Sequence, residues 1–267
     1  MRQKALAKPA VACVAASATL VMALCGTAGA AEIRLLSAAS MQTVLNEIVG
    51  DFERSSGHKV TIRYSTMGAI TGRIAGGEEA DLVISSPASM SALVAQGRID
   101  ESSRVTVART GVGIVVPAGG PTPRIASIDD FKRALLAAKV IVYADPAGGG
   151  AAGIHVARVI EKLGIADQLK PKTRLGAGGD VTEVTLAQGA GALGMTQVSE
   201  IVGKPGAELV PIRDELQNYT EFVAGTPAGV YRSEAVAAFI EFLKSPIAAV
   251  TMKAKGMELH QDRLPWE

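Results

Sequence analysis

The sequence predicts an α/β protein with two lobes, and three observations lead to this fold class. Short apolar strands alternate with amphipathic helices, a pattern typical of parallel sheets covered by helices on both faces. The 237 residues that follow a predicted export signal exceed one typical domain. Polar breaks interrupt the alternation near Arg109 and near Phe222. We therefore expect the chain to cross between two lobes at these two points.

The first 30 residues have the pattern of a cleavable export signal. Arg2, Lys4 and Lys8 form a basic start, residues 11–24 are apolar, and Ala28-Gly-Ala30 is a cleavage site of small residues. Both cysteines of the chain fall within this segment. The sequence therefore predicts a periplasmic mature protein that begins at residue 31 and contains neither a disulfide nor a thiolate metal site.

Composition excludes several classes of partner. Removal of the signal leaves 24 basic residues against 26 acidic ones, a formal charge of −2. Nucleic acids and anionic membranes require a basic surface, so neither is an expected partner. Aromatic residues make up only 4% of the chain, which argues against a cleft that stacks a sugar. The sequence contains no Ser–His–Asp set and no His/Asp/Glu group with metal-ligand spacing, so we predict no cofactor and no metal.

The first elements of the mature chain are a strand, a tight turn and an amphipathic helix. Residues 33–36 are apolar enough for a buried strand, and apolar residues recur with helical spacing from Met41 onward. Ser40 occupies the position of a helix N-cap. The N-terminus of a helix presents free N–H groups and a partial positive charge. On an exported protein without a catalytic set, this arrangement favours capture of a small anion.

The remaining pattern continues the alternation. Strands are predicted at 59–64, 80–85, 139–143, 192–195 and 219–224, with a long apolar stretch at 105–117. Helices are predicted at 68–76, 89–96, 151–163, 234–243 and 247–255, with two more beginning at Ser127 and near Asp180. Ligands of such sheets bind beyond the carboxyl ends of the strands.

A glycine-rich turn precedes the helix predicted at 151–163. Residues 148–153 satisfy the spacing G-x-G-x-x-G, which also occurs in dinucleotide-binding proteins. The unit does not begin the domain, and Glu161 lies inside the next helix rather than at the end of a strand. We interpret the turn as a nest of N–H groups for an anion. A flexible entry into the helix is the alternative.

Several blocks in this order resemble periplasmic molybdate-binding proteins, the solute receptors of ATP-driven importers. The blocks are Ser37–Met41, Ala80–Ser85, Ala144–Pro146 with Ala151–Ile154, and Ala192–Met195. The resemblance implies the two-lobed type II periplasmic-binding fold with two crossovers. It implies a first lobe of residues 31–108 plus 222–267 and a second lobe of residues 109–221. The implied partners are a small anion and the membrane subunits of an importer, and we expect a monomer.

The resemblance also implies a set of ligand-binding residues. In the family, serine hydroxyls and backbone N–H groups hold an oxyanion without a positive side chain. The matching positions are Ser40, Met67, Ala152, Val181 and Gln197, and we add their neighbours Thr66, Gly68 and Gly153 from the same turns. Met67 and Gln197 depart from the family pattern, which has a serine and a tyrosine there. Thr66 supplies the missing hydroxyl if the loop shifts by one residue.

A second function stays open at this point. Arg73 is the basic residue best placed to reach the cleft, and a guanidinium pairs with a carboxylate through two hydrogen bonds. Some exported proteins that resemble molybdate receptors are aconitate isomerases, which need a base beside the reacting carbon. His155 or a carboxylate in the cleft would have to act as that base. We favour a receptor for a molybdate-like oxyanion or small carboxylate, with aconitate isomerase as the alternative.

Overall fold

The computed structural model describes residues 30–229 and 233–259, which form two mixed β-sheets with helices packed against them. Residues 1–29 of the predicted export signal, which include both cysteines, lie outside the described residues. Cleavage of the signal therefore stays a prediction.

The strands are numbered in chain order. They are β1 (Glu32–Ala38), β2 (Lys59–Ser65), β3 (Leu82–Ser85), β4 (Val105–Thr110), β5 (Val112–Pro117), β6 (Val140–Ala144), β7 (Thr173–Gly176), β8 (Ala192–Gln197), β9 (Ala207–Pro211), β10 (Thr220–Gly225) and β11 (Met257–Leu259). The α-helices are α1 (Gln42–Ser56), α2 (Met67–Ala75), α3 (Pro87–Ala95), α4 (Ile128–Ala137), α5 (Ala151–Lys162), α6 (Ala166–Leu169), α7 (Val181–Ala187), α8 (Glu234–Leu243) and α9 (Pro246–Ala254).

The first lobe is built on a sheet with the strand order β11-β4-β10-β3-β1-β2. Strand β1 pairs in parallel with β2 and β3, whereas β10 inserts antiparallel between β3 and β4. Helices α1 and α8 bury their apolar faces in the core of this lobe. There the rings of Phe52 and Phe239 pack edge to face, with their centroids 4.9 Å apart. This packing fixes the parallel strands whose carboxyl ends face the second lobe.

The second lobe is built on a sheet with the order β7-β6-β8-β5-β9. Strands β7, β6 and β8 run parallel, and β5 pairs antiparallel with both β8 and β9. The parallel strands that the alternation predicts are present in both sheets, together with antiparallel ones. Strands β4, β5 and β10 flank the passages between the lobes, and each pairs antiparallel with its neighbours, so both sheets are mixed.

The chain passes between the sheets twice. Strand β4 ends at Thr110 and β5 begins at Val112, so Gly111 alone separates the two sheets on the outward passage. The chain returns between Pro211, the last residue of β9, and Thr220, the first of β10. The lobe limits given by the sequence, 31–108 with 222–267 and 109–221, stay a prediction.

The start of α1 differs from the expected one. Ser40 lies in a single 3₁₀ turn, Ala39–Met41, and α1 begins only at Gln42, with no side chain capping it. The prediction that Ser40 caps α1 is therefore wrong. The sequence also gave no sign of β7, β9, β11 or the one-turn helix α6. Short strands at sheet edges carry too few residues for a periodic pattern.

Within the described residues no single helix has the length and hydrophobicity needed to cross a membrane, although α8 and α9, bent by 52°, pass that test as a pair on length and composition.

Candidate functional site

A small cavity lies between the lobes, at the carboxyl ends of β1, β2, β6, β7 and β8. Its volume is about 30 Å³. This is the position where parallel sheets of α/β proteins bind ligands. Its walls are formed by Ala38, Ala39, Ser40, Ser65, Thr66, Met67, Ala144, Gly150, Ala151, Ala152, Gly178, Gly179, Thr196, Gln197 and Glu200.

The first lobe contributes two turns to the cavity. Ser40 follows β1 and is buried at 5% exposure. Ser65 ends β2, and Thr66 follows it as the N-cap of α2. Met67 belongs to the apolar core and occupies the first position of α2, where a backbone N–H has no acceptor within the helix. This wall therefore offers hydroxyls and an N–H group to a ligand.

The second lobe contributes the start of α5. Gly150 is its N-cap and no side chain caps the helix, so the N–H groups of Ala151 and Ala152 have no acceptor within it. Helix α5 has 12 residues, long enough for a helix dipole whose positive end faces the cavity. Gly178 and Gly179 complete this wall from the turn before α7.

The two lobes touch around the cavity. The hydroxyl of Thr66 accepts from Ala69 N–H at 3.2 Å and donates to the carbonyl oxygen of Gly148 at 2.6 Å. The Ser199 hydroxyl, from the second lobe, donates to the carbonyl oxygen of Ser40 at 3.0 Å. The hydroxyl of Thr66 is thus committed to a contact between the lobes, and the lobes touch on two sides of the cavity.

A glycine pair makes this contact between the lobes possible. Gly149 has φ +72°, and a Cβ atom there would lie 2.7 Å from the Cα of Gly68. The N–H of Gly68 donates to the carbonyl oxygen of Gly149 at 3.4 Å. A side chain at position 149 would be strained by its φ and would collide with the opposite lobe.

One buried carboxyl group lines the cavity. Glu200 is 9% exposed, and Thr196 Oγ1 donates to its Oε2. The pKa of Glu200 is raised to about 7, mainly by burial and to a lesser extent by nearby Glu183, although the Thr196 hydroxyl and the N–H of Gln197 favour the ionised form. A carboxyl group with this pKa exchanges protons near neutral pH.

Five of the residues predicted from the sequence line the cavity. They are Ser40, Thr66, Met67, Ala152 and Gln197. Gln197 ends β8 and is 4% exposed.

The other four predicted residues lie outside the cavity wall. Gly68 contacts Gly149 of the other lobe, and Gly153 packs so tightly on β6 that a Cβ would lie 2.1 Å from the Ala144 carbonyl oxygen. Val181 is fully buried in the apolar cluster beneath α7. Arg73 does not reach the cavity, because its Nε donates to Glu78 Oε2 at 2.6 Å.

His155 also lies away from the cavity. Its Nε2 is 2.7 Å from the carbonyl oxygen of Leu216, in an apolar part of the second lobe. The imidazole therefore does not face a ligand between the lobes.

The sequence analysis did not identify Glu200, the ionisable side chain that lines the cavity. Glu200 lies three residues after the end of β8, on the carboxyl edge of the sheet where ligands bind. This position in the sequence could have indicated a ligand-binding residue. Thr196 was also not singled out as ligand-binding. No Lys or Arg lines the cavity among the described residues, and in this part of the chain no group of three or more His, Asp or Glu is arranged to hold a metal.

The family of the chain follows from a match over most of its length. Residues 33–258 match the family model described as bacterial extracellular solute-binding protein. The chain belongs to this family. Among solved structures, the periplasmic molybdate-binding protein of Azotobacter vinelandii superposes on this solute-binding protein with a TM-score of 0.74. That comparison covers 85% of this chain and 99% of the other at 20% identity, and it shows that the two share a fold.

Further relatives of this solute-binding protein differ in the function that their names state. An aconitate isomerase from a Pseudomonas species is 28% identical over 233 residues, covering 85% of this chain and 87% of the isomerase. The molybdate-binding protein ModA of Escherichia coli K12 is 27% identical over 252 residues, covering 91% of this chain and 96% of ModA. The two-lobed α/β fold with two crossovers is thus confirmed, and the resemblance to molybdate-binding proteins with it.

Proposed function

We propose that this solute-binding protein is periplasmic and captures a small oxyanion between its lobes for an ATP-driven importer. One observation carries the proposal: neutral hydrogen-bond donors that follow the ends of β1, β2 and β6 line one small cavity between the lobes. Ser40, the Met67 N–H and the N–H groups at the start of α5 are donors, and no cationic side chain among the described residues lines the wall. A ligand held in this way is a compact anion.

The strength of such a site is sufficient for a receptor. A helix N-terminus contributes about 0.3–1 kcal/mol toward an anion when exposed and up to about 2 kcal/mol when partly buried. Each hydrogen bond to a charged group contributes about 1.5–3 kcal/mol. Two helix starts and several hydroxyl or N–H donors therefore reach micromolar affinity, about −8 kcal/mol, after the costs of association.

The size of the cavity favours an inorganic oxyanion over a tricarboxylate. A volume of about 30 Å³ exceeds the roughly 10–15 Å³ that one water molecule requires. A tetrahedral oxyanion is much smaller than a tricarboxylate, so it requires less rearrangement of this cavity. The pairing of Arg73 with Glu78 also removes the cation that would have favoured a carboxylate ligand.

Ligand binding to the mature protein tests this proposal. Calorimetry and thermal shift are run with molybdate, tungstate, sulfate, phosphate, and cis- and trans-aconitate. A ligand at 100 times its dissociation constant stabilises the protein by about 2.7 kcal/mol. We expect one or more of the inorganic oxyanions to stabilise the protein and the aconitates to have little effect. Stabilisation by aconitate alone would reject the receptor proposal.

A second candidate is an aconitate isomerase, and Glu200 is the observation that favours it. Isomerisation of a carbon–carbon double bond moves a proton, and a carboxyl group with a pKa of about 7 suits a base in this step. The similarity to a named aconitate isomerase supports the same function. Proton NMR of the protein with cis-aconitate tests it, since appearance of the trans isomer, lost in Glu200→Gln, would establish the isomerase.

A further inference from the structure

Glu200 has no role in an oxyanion site made of neutral donors, yet it lines the same cavity. Its carboxyl group accepts from Thr196, and the Thr182 hydroxyl donates to its backbone carbonyl oxygen at 2.9 Å. These contacts come from β8 and α7 and fix the residue at the wall between the lobes. Among the described residues that line the cavity, Glu200 is the one with an ionisable side chain.

The charges around Glu200 do not neutralise it. Glu183 raises its pKa and Lys204 lowers it, and these two side chains form an ion pair with each other at 2.5 Å. The opposite wall is formed by Ala39 and Ser40, which carry no charge. An ionised Glu200, itself buried, would therefore share a small cavity with any bound anion.

Two negative charges in such a space repel each other, because protein around a buried group screens charge less than bulk water does. We propose that the cleft takes up a fully ionised divalent oxyanion together with one proton, and that the carboxyl group of Glu200 holds this proton. This inference rests on the proposed receptor function and specifies the chemical state of its ligand. The proton comes from solvent, and the neutral carboxyl group then donates a hydrogen bond toward the anion instead of repelling it.

The direction of the pH dependence follows. Below the pKa of the ligand-free Glu200, about 7, the carboxyl group already carries its proton and binding takes up none. Above that pKa, each binding event draws one proton from solvent. The affinity then falls by up to about tenfold for each further unit of pH, until the pKa of the bound state is reached.

Titration of the full mature protein with sodium molybdate tests the proposal. Calorimetry is carried out about one pH unit below and about one unit above neutrality, in pairs of buffers that differ in their heats of ionisation. We expect proton uptake to approach one per molybdate on the alkaline side, with an affinity several-fold to tenfold weaker than on the acid side. Glu200→Gln should bind with the same affinity at both pH values and take up no proton.

The control is Glu208→Gln. Glu208 lies on β9 outside the cavity, where it accepts from Thr122 at 2.9 Å. This variant should show the proton uptake and pH dependence of the wild type. If Glu200→Gln does not fold, the number of protons that the wild type takes up per molybdate still tests the proposal.

The outcomes separate the two proposals. Molybdate binding without proton uptake would overturn the role of Glu200 and leave the receptor function standing. Uptake that persists in a folded Glu200→Gln variant would overturn it in the same way. No binding of molybdate at either pH would reject this ligand, and with it the present inference; absence of binding by the other oxyanions as well would reject the receptor function.

Discussion

The side-chain carboxamide of Gln217 pairs with the backbone of Val112 as a neighbouring strand would. The N–H of Val112 donates to Oε1 of Gln217 at 2.6 Å, and Nε2 of Gln217 donates to the Val112 carbonyl oxygen at 3.0 Å. Gln217 lies on the return passage between the lobes, and Val112 opens β5 directly after the outward one. One side chain therefore holds the two passages side by side.

Removal of this carboxamide should lower the stability of the protein. In Gln217→Ala the N–H and carbonyl groups of Val112 both lose their partner, and an unsatisfied buried polar group costs about 1–3 kcal/mol. We expect the free energy of unfolding to fall by about 2 kcal/mol in urea titrations. Asn218→Ala is the control and should change it by less than about 0.5 kcal/mol. Equal effects of the two substitutions would contradict the pairing.

Substitution of Ser40 should weaken oxyanion binding and leave the fold unchanged. Ser199 contacts the backbone carbonyl of Ser40, a contact that alanine preserves. Loss of a hydroxyl that donates to a charged ligand costs about 1–3 kcal/mol, or roughly 5- to 150-fold in affinity. Calorimetry with the bound oxyanion measures it, and Ser55→Ala on the exposed surface of α1 is the control. Wild-type affinity in Ser40→Ala would place the ligand elsewhere.

A methyl group at Gly149 should hinder closure of the lobes. Its Cβ would lie 2.7 Å from the Cα of Gly68, across the cleft. At the adjacent Gly148 a Cβ would meet no atom within 4 Å. We expect Gly149→Ala to bind oxyanion about tenfold more weakly, because this contact strains only the state in which the lobes touch, by about 1.4 kcal/mol. Gly148→Ala should bind normally, and similar losses in both variants would argue against a steric cause.

Glu200 should make the ligand-free protein less stable as the pH rises toward neutrality. Its pKa is about 7 in the folded protein and near 4.5 when unfolded, so the folded state holds the extra proton between these values. The raised pKa therefore adds to the free energy of unfolding, by roughly 3 kcal/mol at most. This contribution is fully present below the unfolded pKa and is lost as the pH rises through 7. Glu200→Gln should remove this slope in a comparison of thermal unfolding with the wild type. Parallel pH profiles of the two proteins would contradict the raised pKa.

The sequence was sufficient for most of the fold because the buried elements are periodic. Strand β2 alternates, and α2 buries Ile70 and Ile74 as its pattern predicts. The antiparallel insertion of β10 between β3 and β4 was not predictable. Strand pairing depends on contacts between distant segments, and periodicity does not report these.

The site was predictable at the level of turns rather than side chains. Ser40 and Ala152 follow strand ends, and such positions meet at one edge of a parallel sheet. The prediction that Arg73 reaches the cleft was wrong, because its position on α2 does not reveal the ion pair that it forms with Glu78. Glu200 was missed because its burial results from the packing of β8 and α7, which no local pattern records.

The position of β10 has a consequence for the order in which the protein folds. Strands β5–β9 form the second sheet from one uninterrupted stretch of chain, whereas β10 separates β3 from β4 in the first. A polypeptide that emerges with its N-terminus first can complete the second sheet while the first still lacks its middle strand. The first sheet closes only through pairings between residues more than 100 positions apart, and such non-local pairings slow folding. We therefore expect refolding in two phases, with β4 the last of the early strands to gain protection from hydrogen exchange.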